Sequence, residues 1–282
     1  MTAEVVTAPA RDEVVDCARW WSTRGRPVLD MPTVRLAPHS DTSDGAGVRI
    51  ALLGGRVDVT HPDIRGAAVV GPAQRGANLP DPTGHATACA SLLVGQGQAY
   101  VRGLAPEAEL LTVPVLGFDG RTADEQIVRA VRWALVEGAQ VLVLPFGRRH
   151  RGRRVAITLR AAAEAGVRVF VAAGDLGPDV LAFPASVSGV VAVTGHDHDA
   201  ILPGCSAQAD VAAPGHDVPA AGRDRLVRLQ GSAPAAVLAA GAWAVGLLGD
   251  VGLDDDPRGS AVRADLDEHR GLVGGGHASR AQ

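Results

Sequence analysis

"VLVLPFGRRHRGRRVAITLRAAAEAGVRVFVAAG", residues 141–174, decides the fold. "VLVLPF" (141–146) is a short Val- and Leu-rich run of the kind a strand buried on both faces shows. "AITLRAAAEAG" (156–166) is Ala-rich helical text that stops at Gly166, and "VRVFVAA" (167–173) is a second buried-strand run. The same alternation continues outward on both sides. "VRIALL" (48–53), "ELLTVPVL" (109–116) and "VVAVTG" (190–195) read as further strands, and "ADEQIVRAVRWALVEGA" (123–139) carries apolar residues at helical spacing and ends near Gly138. Strands and helices in turn predict an α/β domain with a central, mostly parallel sheet flanked by helices. In such a sheet, sites form at the C-terminal ends of the strands and in the loops that follow them.

The chain has 282 residues, 46% of them hydrophobic and 21% charged, enough for one large domain with a sizeable core. A net charge of -4 gives no global electrostatic case for nucleic acid or an anionic membrane as partner. Cys17, Cys89 and Cys205 are an odd, scattered set without CxxC spacing, so they are expected to be buried reduced thiols rather than a disulfide framework or a zinc site. No metal or cofactor is expected. No apolar run reaches the roughly 20 residues of a membrane span. The opening text, "MTAEVVTAPARDEVVDCARWW", has no signal-peptide pattern, which predicts a cytoplasmic protein. Residues 1–46, with a short amphipathic candidate at Val14, Val15, Ala18 and Trp21, read as an extension and linker. Residues 47–250 form the domain, and 251–282 read as a flexible acidic and Gly-rich tail.

Several segments of the domain together resemble the subtilisin-like serine peptidases. "VRIALLGGRVDVTHPDI" (48–64) is similar to that family's first core strand and Asp motif, and "TGHATACASLL" (83–93) to its His motif. "GLAPEAELLTVPVL" (103–116), "VFVAAGDLG" (169–177), "FPASVSGVVAVTGHD" (183–197), "DVAAPG" (210–215) and "GSAPAAVLAAGA" (231–242) resemble later core segments and the Ser motif. The resemblance implies a three-layer subtilisin-like fold over residues 47–250. Shorter segments, among them "GGRVDVTHPDIRG" and "FPASVSGVVAVTG", look most like the cytoplasmic proteases that mature cyanobactin-type ribosomal peptides.

Carried over position by position, the resemblance keeps the family's histidine as His85. It places Gly54 where the family has its orienting Asp, Asp175 where it has its oxyanion Asn, and Ala233 where it has its Ser. Acyl transfer needs a nucleophile, a base, a group that orients the base, and donors aimed at the developing oxyanion. Alanine offers no nucleophile, and an ionised Asp175 would put negative charge where more must accumulate. Ser232, one residue early, is expected to cap the helix it opens. The expectation is therefore a catalytically inactive pseudopeptidase that binds a peptide, a precursor peptide or a companion enzyme. Two alternatives stand beside it: altered chemistry on a peptide, using His85 with Asp175, Asp58 or Cys89, and a structural or regulatory subunit of an active peptidase.

The resemblance also implies a peptide groove. Pro145, Phe146 and Gly147, with Ala172, Ala173 and Gly174, correspond to the walls of the primary specificity pocket, and Gly117, Phe118 and the text to Gly120 to an edge strand that an extended peptide can join. "GRRHRGRR" (147–154) follows directly. Its Arg148, Arg149, Arg151, Arg153 and Arg154 read either as a solvated loop or as a contact for an acidic ligand.

Overall fold

Each buried run in the sequence is a strand in the computed structural model of the protein, which describes residues 14–24, 44–72, 81, 83–117, 119–198 and 200–248. The strands are β1 (Val15–Asp16), β2 (Arg49–Gly54), β3 (Val69–Val70), β4 (Val101–Arg102), β5 (Glu109–Pro114), β6 (Val141–Leu144), β7 (Arg168–Ala172), β8 (Val191–Asp197), β9 (Ala200–Ile201), β10 (Val211–Pro214), β11 (Val218–Ala221) and β12 (Leu226–Leu229). The helices are α1 (Cys17–Arg24), α2 (His85–Val94), α3 (Asp124–Val136), α4 (Arg153–Glu164) and α5 (Ser232–Ala244). None among the described residues is long and apolar enough to cross a membrane.

The central sheet runs β10-β8-β7-β6-β2-β5-β3 with every neighbour parallel; the short β9 pairs antiparallel with β8. Side chains alternate across a strand, so β2 feeds two cores. Ile50 and Leu52 pack with α2 and α5 on one face, and Ala51 and Leu53 with α3 and α4 on the other. This is the three-layer subtilisin-like α/β arrangement.

Helix α5 is apolar all round, and every residue from Ser232 to Ala242 is buried, as expected of a helix running through a core. Its small residues permit close approach: a Cβ at Gly241 would lie 3.0 Å from Leu104 Cδ1. Helix α4 starts three residues before the Ala-rich text suggests. Gly152, in an extended conformation, precedes its first turn, and Arg154 of that turn pairs with Glu125 of α3 at 2.7 Å.

The N-terminal segment is drawn into the domain between residues 14 and 24. Strand β1 pairs with β4 in parallel, and Cys17 is buried in the α2/α5 core. The other residues of the 1–43 text, and the tail at 251–282, lie outside the described residues.

Candidate active site

Because the sheet is parallel, β2, β6 and β7 all end at one edge, and the N-termini of α2 and α5 meet them there. A Cβ on Gly55, just past β2, would lie 3.3 Å from Ala86 Cβ of α2, and one on Gly54 would lie 3.9 Å from Pro145 Cγ beyond β6. Gly174, beyond β7, donates its N–H to Ser232 Oγ at 3.1 Å, and Ser232 donates its own N–H to Asp175 at 2.9 Å. The four positions carried over from the resemblance, Gly54, His85, Asp175 and Ala233, thus fall on one edge of the sheet.

His85 opens α2, half-buried. Its Nε2 lies 3.6 Å from the thiol of Cys89, one helical turn on, and its Nδ1 has no partner among the described residues. Burial pushes the imidazole below the usual histidine range, and the charge of Asp81 offsets part of that. The ring is therefore a neutral base at pH 7. Burial also drives the Cys89 thiol far above its usual range, with Asp81 adding to the effect, so Cys89 meets His85 as a thiol and not as a thiolate.

The depressed imidazole has a consequence for stability. Below about pH 6.5 the unfolded chain's histidine takes a proton that the folded one resists, so stability falls as pH drops from there through the folded value. Melting temperatures measured from pH 7.5 to 5 should fall more steeply for the parent than for His85→Gln. Equal slopes would show that the imidazole protonates as freely in the folded chain as in the unfolded one.

Asp81 holds the start of α2, and its role was not read from the sequence. One carboxylate oxygen accepts from the N–H groups of Thr83 (3.2 Å) and Gly84 (2.9 Å), and the other from the Thr87 N–H (2.9 Å) and hydroxyl (3.0 Å). A signal existed in "DPTGHAT" (81–87), an acid just ahead of a helical run, which is a helix-start pattern. Cys205 is the buried reduced thiol the sequence leads one to expect, with a partner the sequence does not reveal. Its Sγ donates to Asp175 at 3.1 Å, and burial first, then the Asp175 contact, push it up to about 12.

Other expected contacts come out differently. Ser232 does not cap α5: Gly231 (φ 105) occupies the cap position, and the Ser232 hydroxyl is turned to the Gly174 main chain. Asp175 supplies the acceptor at that end, consistent with a carboxylate's preference for a helix N-terminus. Asp58 turns into its own loop, accepting from the Thr60 N–H (2.9 Å) and hydroxyl (2.6 Å). Of Asp58, Asp175 and Cys89, only Cys89 makes a contact with His85 among the described residues.

Gly117 donates its N–H at 2.8 Å to Arg121 within a tight turn, so that group is not offered to a peptide strand. Phe118 lies outside the described residues. Two of the five arginines in the stretch, Arg148 and Arg154, are paired within the chain. Arg148 pairs with Asp124, stacks 5.2 Å above the Phe183 ring and exchanges both main-chain bonds with Phe183, while Arg153 and Arg154 belong to the first turn of α4. The guanidinium of Arg148 is taken because α3 brings Asp124 to it, a tertiary contact that local charge counting does not reveal. Arg149, Arg151 and Arg153 remain exposed.

The model of the subtilase family (peptidase S8) matches residues 45–247. Subtilisin BL of Lederbergia lenta is 33% identical over 188 residues, which span 64% of this chain and 69% of that protein. Thermitase of Thermoactinomyces vulgaris is 29% identical over 187 residues, covering 64% and 67%. Among solved structures, the prenylagaramide maturation protease PagA superposes with a TM-score of 0.63 at 25% identity, over 70% of this chain and 74% of its own. The patellamide maturation protease PatA does so with a TM-score of 0.62 at 27% identity, over 71% and 77%. These matches overturn the expectation of a catalytically inactive binding module. The relatives are proteases by name, nothing in the comparisons sets this chain apart as inactive, and what they support is a subtilisin-like peptidase. From the helix order, the sheet and the match across its core, the chain belongs to the subtilase family.

Proposed function

We propose that this subtilase acts on peptides. An extended peptide lies across the sheet edge between the ends of β6 and β7 and the start of α5, with His85 as the acid–base group. The observation that supports the reading is that the start of α2, which His85 opens, the glycine-bearing segments beyond β6 and β7, and the α5 N-terminus share one edge of the sheet. Ala233 and Gly54 bring neither a nucleophile nor an orienting carboxylate, so in this reading the attacking oxygen is that of water. His85 takes a proton from the water as its oxygen bonds to the peptide carbonyl carbon. The imidazolium then returns the proton to the departing amide nitrogen as the C–N bond breaks, giving an acid and an amine. Without a side-chain nucleophile the rate is low; loss of triad members leaves about 10³- to 10⁴-fold over water in the best-studied case.

The substrate class that fits the structural neighbours is a precursor peptide of a ribosomal natural product, since PagA and PatA are maturation proteases. A cytoplasmic location, a companion enzyme as partner, and the absence of nucleic acid and membrane from the partner set belong to the same proposal. The test is prolonged incubation of pure full-length protein with a mixed peptide pool, read by mass spectrometry for new termini. Cleavage at defined bonds that falls at least tenfold in His85→Ala is expected. Retention of peptides without any cleavage would remove the peptidase reading and leave a peptide-binding cleft.

A further inference from the structure

At the edge of the sheet opposite the candidate active site, where β7 and β8 begin, a cleft of about 440 Å³ opens between the end of α4 and the turn that precedes β8. Its charged lining is Arg160 and Glu164 of α4 with Arg168 of β7, and Ala163, Val169 and Val191 give it apolar walls.

Arg160 is half-buried, and its Nε is shut off from water without an acceptor. Its guanidinium makes no hydrogen bond or ion pair among the described residues. A cation near the end of a helix ordinarily bonds the last carbonyls of that helix. Here those of Ala161, Ala162 and Ala163 already accept from the N–H groups of Ala165 (3.0 Å), Val167 (3.1 Å) and Gly166 (2.9 Å). Arginine keeps its charge, and a charged donor buried without a partner is costly, so the group fits an acceptor brought from outside the chain.

We propose that this cleft binds a small organic acid, with one carboxylate set against Arg160 and Arg168 and a short apolar body along Ala163, Val169 and Val191. The planar guanidinium offers paired donors that match the two oxygens of a carboxylate. Two guanidinium groups against the one carboxylate of Glu164 suit a single negative charge, and the negative end of the α4 dipole disfavours a second. A carboxylate is thereby favoured over a phosphate dianion. The volume lies within the usual range of small-molecule sites, about 300–1,000 Å³, and the apolar walls ask for more than a bare anion. The carboxylate can be that of a free acid or of a peptide's C-terminus, and neither depends on the peptidase reading above.

The experiment is calorimetric titration of full-length protein with N-acetyl-leucine, its neutral amide, inorganic phosphate, and an N-acetylated tripeptide ending in leucine with a free carboxylate. N-acetyl-leucine is expected to bind at least about tenfold more tightly than the amide and than phosphate. Arg160→Gln is expected to weaken it by about tenfold or more, while melting within about 2 °C of the parent because Arg160 has no partner in the chain to lose. A tripeptide that binds as tightly as the free acid identifies a peptide end as the source, and one at least tenfold weaker identifies a free acid. The parent's preference for acid over amide tests the site even if the variant does not fold. No binding of either acid, equal binding of acid and amide, phosphate bound as tightly as N-acetyl-leucine, or an affinity unmoved in folded Arg160→Gln would each overturn the proposal.

Discussion

Changing Gly54→Asp, Asp175→Asn and Ala233→Ser together is expected to raise peptide hydrolysis by about 10³-fold over the parent. A Cβ at position 54 makes one ordinary van der Waals contact, with Pro145 Cγ at 3.9 Å, so the added carboxylate is not blocked at its root. Asn at 175 keeps the shape and one acceptor for the Ser232 N–H, and it offers a donor where the parent has only acceptors. A hydroxyl at 233 stands in the first turn of α5, next to the position already tied to β7.

The gain stays well short of the roughly 2 × 10⁶ that separates a full triad from none in the best-measured case. One contact holds it down: the imidazole Nε2 must leave the Cys89 thiol, 3.6 Å away. Because triad members act as a unit, each single change is expected to stay within about tenfold of the parent. The measurement is turnover of a chromogenic peptide amide by the folded triple variant. A rate equal to the parent's would mean that these four positions do not converge as a triad does, despite sharing one edge of the sheet.

How much of this was legible in the sequence follows the range of the interactions involved. The β6–α4–β7 unit was readable because burial on both faces leaves a Val- and Leu-rich run, and because Gly166 marks the helix end. The edge that gathers Gly54, Pro145, Gly174 and Ser232 was readable because a parallel sheet sends its strand ends to one side. Side-chain direction was not. Ser232 looks like a cap in the sequence, and only the approach of the Gly174 N–H from β7 shows where its hydroxyl goes. Arg148 and Arg154 look like free cations until α3 brings Asp124 and Glu125 to them.

Asp63 is the residue whose loss should cost the fold most, and "HPD" (61–63) conceals it. Its carboxylate is fully buried, and it accepts from three successive main-chain amides: Ala99 at 2.7 Å, Tyr100 at 2.9 Å and Val101 at 3.1 Å. Its carbonyl accepts from the Gln96 N–H at 2.7 Å, and its own N–H is donated to His61 Nδ1 at 3.1 Å. One aspartate thus ties the loop after β2 to the turn that leads from α2 into β4, on which the N-terminal β1 is laid. Asp63→Ala would leave three amides without their acceptor, the Val101 N–H buried and the other two half-buried, at about 1–3 kcal/mol each before relaxation. Partial collapse and water entry bring the expected loss to about 3–5 kcal/mol, a large part of a domain's usual margin of about 5–15 kcal/mol. Asp63→Asn keeps the shape but turns an NH₂ group toward amide donors, so it should recover only part of the loss. At roughly 2–4 °C per kcal/mol for a domain of this size, Asp63→Ala should melt about 10 °C below the parent. Hydrogen exchange at residues 99–101 should speed up first. A melting temperature within about 2 °C of the parent would mean that these amides find other acceptors and that the loop and the turn hold together without the carboxylate.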